Sequence, residues 1–487
     1  MKHNEESKTL SAQTLTDLHA DIAEKHTLLS SLQKSLPRQI DAKKAINTML
    51  YRLSASKRIT NIPTLRNLKR IALMLYRTLL LETSAQKVVL NWQSPSAFHA
   101  LYDEAGNESG TITMTMNDYK RDYHHDAIPY EQAFRKEYID GFVTLGVHTY
   151  LVSSGMAGLT TVLAFLQGEK FMAGPVIIGE NTYFQGKGLI LAACDSRAKI
   201  VPETDTDAII TLINRKKPTA IFLDSLTNSA TMESPDVTTI IKYLIKHVHH
   251  DMTLVVGNTA LSIAFQPLPM LLGRNRHIRL VVYESLIKFH QFGADRVTAG
   301  MIWAYGPGTE KLFDYRKNCG TNITDLSAHA LPAPNRKLLE GRLNRINRNT
   351  HYLAGRLASF IASGQAPSFS GVVYPGSPAH PCYAWTKNYR FHGYLMALRY
   401  KHQKTTIKAA QSFIRRAIGE AKRQQIPLVA GTSFGFDTTR IYLTSSNTRY
   451  GEPFLRIAVG TEDMEQLERV AAIIEQAMKN TTHLFLR

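Results

Sequence analysis

From about residue 140 onward the chain repeats one pattern, an apolar run of strand length followed by a stretch with helical spacing. The runs read "HTYLVSS", "GPVIIGE", "AKIVPET", "TAIFLDS", "MTLVVGN" and "IRLVVYES". Strands that are apolar throughout are buried on both faces, and an intervening helix carries the chain back to the same edge. The alternation therefore predicts a mostly parallel sheet with helices on both sides. In such folds ligands bind beyond the carboxyl ends of the strands. The residues just after these runs are the first place to look for chemistry.

The flanks differ. Past Gly300 several helical segments and the short strand "FLRIAVG" predict a smaller α+β unit. Its last helix, "EDMEQLERVAAIIEQAM", has Thr461 as the expected N-cap, with Met464, Leu467, Val470 and Ile474 on one face. Before the sheet, Arg38 to Lys87 holds eleven lysines or arginines against two acids. Leu68, Ile71, Leu75 and Leu79 recur there at helical spacing. This basic amphipathic region reads either as a solvated face packed on its other side, or as a contact for nucleic acid or an anionic membrane.

At 487 residues the chain has room for two or three domains. The 58 basic against 40 acidic residues give a surface that attracts anions, phosphates among them. Cys194, Cys319 and Cys382 are far apart in sequence and in no CxxC pairing, so neither a disulfide framework nor a thiolate zinc site is indicated, and a reducing cytosol fits. The polar start "MKHNEESKTL" lacks a signal peptide's apolar core, and "IALMLYRTLLLE" is too short to span a membrane and contains Arg77. A soluble cytoplasmic protein is expected.

Three stretches carry side chains suited to chemistry. In "YLVSSGMAGLTTVLAFL" a strand ends at Ser153, Ser154 and Gly155 and a helix begins, an arrangement whose free amides suit a phosphate. In "VVYESLIKFHQFGADRVTAG" a single lysine, Lys288, stands among apolar and aromatic residues. Apolar surroundings lower a lysine's pKa and expose the nucleophilic amine that Schiff-base formation needs, although a lone lysine also snorkels to solvent. In "KHVHHD", His247, His249, His250 and Asp251 cluster before a strand, but alternation points them apart and no metal site is expected.

Taken in order, these stretches resemble the Cys/Met-metabolism family of pyridoxal-phosphate enzymes, the group of cystathionine γ-synthase, cystathionine lyases and homoserine sulfhydrylases. The family's SxTKYxxGHxD is matched by Ser285, Lys288, Phe289 and Asp295, with Ile287 replacing its threonine. "SSGMAGL", "YKR", "NTYFQGKG", "LDSLTNSATMES", "VVYPGSPAHPCYAW", "GTSFGFDTTRI" and "FLRIAVGTED" resemble further family segments from about residue 110 to the C-terminus. The resemblance implies pyridoxal-phosphate fold type I, with Lys288 forming the internal aldimine. It implies phosphate ligands at Ser154, Gly155, Met156 and Ser285, and Tyr119 and Arg121 reaching the phosphate of a neighbouring subunit's cofactor. Tyr183 would stack on the ring, Asn228 would lie by its phenolic oxygen, Arg456 would clamp the substrate carboxylate and Ser433 would line the substrate side. Tyr183 and Tyr119 are the further candidate acids and bases.

On this basis residues 1–108 form a basic helical extension, 109–310 the large cofactor-binding α/β domain and 311–487 the small α+β domain. The implied activity is β- or γ-elimination or replacement on a sulfur- or oxygen-substituted amino acid, in a homodimer or homotetramer with shared active sites. His124 and His125, beside "YKR", either line that shared site or lie on the surface. Asp437 falls near a glutamate of γ-specific members, or is an exposed loop acid.

One position departs from the family. Its VDNT aspartate, which pairs with the pyridine nitrogen, is Gly257 in "VVGNTALS". Three consequences are open: a weaker electron sink serving easier chemistry, an acid supplied from elsewhere, or a cofactor-fold scaffold that binds nucleic acid, membrane or a partner through its basic N-terminus.

Overall fold

The computed structural model describes residues 2–36, 40–90, 124–141, 146–401, 407–445 and 450–481. All six apolar runs are strands: β1 (Val147–Val152), β2 (Val176–Gly179), β3 (Ala198–Val201), β4 (Ala220–Asp224), β5 (Met252–Gly257) and β6 (Ile278–Ser285). With β7 (Gly300–Tyr305) they form one sheet in the order β1-β7-β6-β5-β4-β2-β3. The β6-β5-β4-β2-β3 run is parallel, while β7 lies antiparallel to both β1 and β6. Every residue of β2, β4 and β5 is buried, as strands covered on both faces require.

A second sheet of five strands has the order β10-β11-β12-β9-β8. These are β8 (Phe369–Val373), β9 (Leu395–Tyr400), β10 (Val429–Ala430), β11 (Arg440–Thr444) and β12 (Phe454–Ala458). Only β12 is legible in the sequence.

Eleven helices are numbered here. The first four are α1 (Lys2–Lys34), α2 (Ile40–Ala55), α3 (Ile62–Leu90) and α4 (Ile128–Tyr138). Between the strands of the large sheet come α5 (Gly155–Gly168), α6 (Phe184–Cys194), α7 (Thr206–Lys216) and α8 (Val237–His247). The last three are α9 (Arg336–Ala362), α10 (Ile407–Arg423) and α11 (Met464–Lys479). Ser154, Asp205, Asp236, Asn335 and Asp463 cap α5, α7, α8, α9 and α11, each side chain accepting from an amide of the first turn. The cap of α11 is thus Asp463 and not Thr461. Thr461 is buried two residues earlier, with its hydroxyl 3.4 Å from Asp437 Oδ1.

The N-terminal helices pack onto the rest of the chain. Along α1 the buried stripe is Leu18, Ile22, Lys25, Leu29 and Leu32, so a lysine occupies a core position of the helical repeat. Its ammonium, 1% exposed, lies 2.6 Å from Glu24 and 3.3 Å from Asp437 Oδ2, and donates to the Phe292 carbonyl. Arg342 of α9 completes the cluster at 2.6 Å from Asp437 and 3.1 Å from Glu24. Basic side chains of α3 are held in the same way. Arg66 pairs with Asp463 and Glu465, Lys69 with Asp21, and Arg77 donates to the Gly293 carbonyl.

Asp437 is therefore neither an exposed loop acid nor a group facing substrate. Two flanking cations hold its carboxyl well below the ordinary carboxylate range despite burial. Removing one member of such a cluster leaves the other charges buried without compensation. Asp437→Asn is predicted to lower stability by about 3–5 kcal/mol, read as a fall in the urea midpoint. A loss below about 1 kcal/mol would mean that the cluster is solvated in the native protein.

Candidate active site

Beyond the carboxyl ends of β1, β4, β5 and β6 lies a cavity of about 300 Å³, closed on its far side by residues of the small sheet and its loops. Its lining includes Ser154, Gly155, Met156, Tyr183, Asn228, Ser285, Lys288, Ser433 and Arg456, which gathers the expected site residues of the described chain in one place. Tyr119 and Arg121 lie outside the described residues.

One end of the cavity is built for an anion. β1 runs into α5 through Ser154, whose hydroxyl accepts from the Ala157 amide at 3.0 Å. The Gly155 and Met156 amides have no protein acceptor among the described residues and stand at the positive end of a 14-residue helix. A Cβ on Gly155 would come within 2.9 Å of the Ser285 side chain, so the glycine lets the ends of β1 and β6 meet at the cavity. Thr259, which the sequence reading missed, adds a hydroxyl here: it lines the cavity and accepts from the Ser285 amide at 3.0 Å.

Lys288 follows β6 and is mostly buried. Its Nζ donates to Ser433 Oγ at 2.8 Å and lies 5.1 Å from the centre of the Phe434 ring, with no carboxylate in ion-pair contact among the described residues. Burial, and next the charge of Arg456, lower its pKa to about 8. Snorkelling is excluded by this placement. The Ser433 backbone is left-handed, with φ of 67°, a conformation that costs a non-glycine residue about 1–3 kcal/mol and is over-determined here by its surroundings.

Arg456, central in β12, is 5% exposed and donates to Asn228 Oδ1 at 3.0 Å. No carboxylate is paired with it among the described residues, and burial lowers its pKa. A buried guanidinium held by one amide oxygen keeps further N–H donors available for a planar anion. Tyr183 precedes α6, and burial raises its phenol, so it keeps its proton at neutral pH. Ser229, where the family has proline, caps a local turn by accepting from the Met232 amide.

Gly257 has a structural reason. A Cβ there would sit 2.1 Å from Asp224 Oδ1 and 3.0 Å from the Tyr283 hydroxyl. Asp224 ends β4 and is the register partner of Gly257 on β5, so the carboxyl of one strand fills the space that the other leaves open. Its Oδ2 accepts from the Tyr183 amide at 2.7 Å.

The remaining candidates lie elsewhere. His124 is buried, its ring nitrogen 2.5 Å from the Ile323 carbonyl, and does not line the cavity. His247 stacks on Tyr243, His250 bonds to the Pro218 carbonyl and Asp251 pairs with Arg279. No metal-holding group of three or more His, Cys, Asp or Glu occurs among the described residues. Among them, too, no helix is long and apolar enough to cross a membrane.

The family model for Cys/Met metabolism PLP-dependent enzymes matches residues 107–479. The chain belongs to that family. Pyridoxal phosphate is the family's cofactor, and the donor set fits it: a helix N-terminus for phosphate, a poised amine for an aldehyde and an aromatic ring beside both. Among curated relatives, the bifunctional enzyme flvA of Aspergillus flavus is 23% identical over 336 residues, which are 68% of this chain and 39% of that enzyme. Cystathionine gamma-synthase of Mycobacterium leprae is 27% identical over 333 residues, covering 66% of this chain and 78% of that protein. This chain thus spans well under half of the first of these relatives.

Solved structures of similar shape include metB from Corynebacterium glutamicum, with 21% identity and a TM-score of 0.59 over 80% of this chain and 92% of that one. Another is cystathionine gamma synthase from Xanthomonas oryzae pv. oryzae in complex with cystathionine, with 17% identity and a TM-score of 0.60 over 82% and 99%. The fold of this Cys/Met-metabolism protein is accordingly pyridoxal-phosphate fold type I, with a helical N-terminal extension.

The lowered pKa of Lys288 has a measurable sign. An ordinary lysine becomes a free amine only near pH 10.4. Both burial and Arg456 favour the neutral form, so acetic anhydride should label Lys288 of the cofactor-free protein with a half-maximal rate near pH 8. Labelling that climbs only toward pH 10 would show an ordinary, solvated ammonium.

Proposed function

We propose that this protein catalyses β- or γ-elimination or replacement on a sulfur- or oxygen-substituted amino acid, with the cofactor held by Lys288. The observation that carries the reading is the shared cavity, whose lining brings together Lys288 and the buried Arg456, neither with a carboxylate partner among the described residues, and the free amides at the start of α5. When bound, pyridoxal phosphate supplies a carbonyl for amines and a ring that draws electrons from an amino acid's α-carbon.

The chain's own residues then divide the work. Ser154, Gly155, Met156 and Ser285 hold the phosphate, and Tyr183 fixes the tilt of the ring. Asn228, already spent on Arg456 through its oxygen, keeps its amide hydrogens for the ring oxygen. Arg456 takes the α-carboxylate in a bidentate grip and so sets which face of the α-carbon meets Lys288. Lys288, neutral from about pH 8 upward, takes and returns the proton at that carbon. Ser433 orients its amine. Tyr183, with its proton retained, is a donor to the departing group. Tyr119 and Arg121 are assigned to the phosphate of a neighbouring subunit's site in a homodimer or homotetramer.

The test is turnover of O-acyl and thioether amino acids, followed as release of 2-oxo acid and ammonia or as a new thioether in the presence of a thiol. Lys288→Ala should lower kcat by at least about 10²–10⁴-fold. Arg456→Ala should raise KM through the loss of about 2–5 kcal/mol of carboxylate binding. Absence of turnover by the unaltered protein, or turnover that survives Lys288→Ala, would refute the assignment.

A further inference from the structure

Asp224 is the one acid in the cavity lining among the described residues, and the proposed chemistry above leaves it unused. It is 7% exposed, and no cation is in ion-pair contact with it among the described residues. Oδ2 is engaged by the Tyr183 amide, whereas Oδ1 has no hydrogen-bond partner among the described residues. That free oxygen lies 2.1 Å from where a Gly257 Cβ would be. An aspartate at position 257 and Asp224 in its present place exclude each other on steric grounds.

Ladder geometry makes the exchange conservative. Asp224 and Gly257 are register partners on adjacent parallel strands, and paired positions in a parallel ladder direct their side chains to the same face. Moving the carboxyl from β5 to β4 therefore keeps it at the carboxyl edge of the sheet and on the same side. Tyr283, the register partner of Gly257 on the other side, closes the space with its buried ring.

We propose that Asp224 is the partner of the cofactor's ring nitrogen in this protein, replacing from β4 the carboxylate that the family carries at the position of Gly257. The proposal rests on the reading that the cavity binds pyridoxal phosphate. It requires a group that brings positive charge to Oδ1, and a protonated pyridine nitrogen is such a group. Burial alone pushes the carboxyl up to about 7, opposed only by the Tyr183 amide. Pairing with a pyridinium restores the ionised form, and the two charges stabilise each other in a dry site. The first of the three consequences of Gly257, a weakened electron sink, is thereby replaced by the second.

The experiment is nitrogen NMR of the protein loaded with ¹⁵N-labelled pyridoxal phosphate, in the unaltered chain, in Asp224→Asn and in the exchanged pair Asp224→Gly with Gly257→Asp. Uptake is checked in each by retention of the yellow cofactor through desalting. The expected result is a protonated ring nitrogen in the unaltered chain, an unprotonated one in Asp224→Asn with uptake retained, and protonation recovered in the exchanged pair. Turnover should fall about 10- to 150-fold in Asp224→Asn and recover with the exchange. A ring nitrogen that stays protonated in Asp224→Asn, or is unprotonated in the unaltered chain, overturns the proposal and leaves the functional reading intact. Failure of the unaltered chain to retain any cofactor overturns the functional reading, and this proposal with it.

Discussion

The buried cluster at Asp437 ties together three parts of the chain that are far apart in sequence. Lys25 comes from the N-terminal helix α1, Arg342 from the long helix α9, and Asp437 from the loop that leads into β11. Charges that deep are tolerated only when paired, so the cluster fixes where each part sits. The same Arg342 donates twice to the Gly435 carbonyl, in the middle of the loop whose Ser433 receives the Lys288 amine. The N-terminal extension is thereby a brace for the lysine's surroundings. Four of its basic side chains, Lys25, Arg66, Lys69 and Arg77, are engaged by internal acids and carbonyls, whereas Lys43, Lys44, Lys57, Arg58 and Arg70 are exposed.

With the walls fixed, the cavity's electrostatics follow from its lining. Lys288 and Arg456 bring positive charge, the start of α5 adds its dipole, and Asp224 is the single acid among the described residues of the lining. Such a site attracts a ligand with a phosphate and a carboxylate, and burial makes each interaction stronger than it would be in water. The like charges of Lys288 and Arg456 also keep the amine from holding its proton tightly. The residue proposed to hold the substrate carboxylate thus also lowers the lysine's pKa. The chain's overall excess of basic residues is consistent with this, but the local arrangement gives it chemical meaning.

The sequence was most legible where burial is complete on both faces. All six apolar runs became strands, completely buried in β2, β4 and β5, while the edge strand β3 is partly exposed. β7 was missed, since "GMIWAY" returns antiparallel and follows no helix. Four of the five small-sheet strands were missed because they are short or partly exposed, as in "FSGVV". The N-terminal helices were legible from their spacing, but their partners were not: Arg66 and Asp463 are 397 positions apart. Lys25 left a trace in the sequence, a lysine in phase with Leu18, Ile22, Leu29 and Leu32.

The site shows the same division. Family motifs singled out Lys288, Arg456 and the start of α5, which the structure brings to one cavity, whereas Asp224 was hidden because only strand register places it beside Gly257. A missing carboxyl on one strand and an unexplained one on its neighbour become a single observation once the ladder is known. The account as a whole depends on Lys288 being the residue that carries the cofactor. The most direct measurement is borohydride reduction of the protein reconstituted with pyridoxal phosphate, followed by mass-spectrometric mapping of the modified peptide. The account predicts a single pyridoxyl group on Lys288; a label on another lysine, or none, would contradict it.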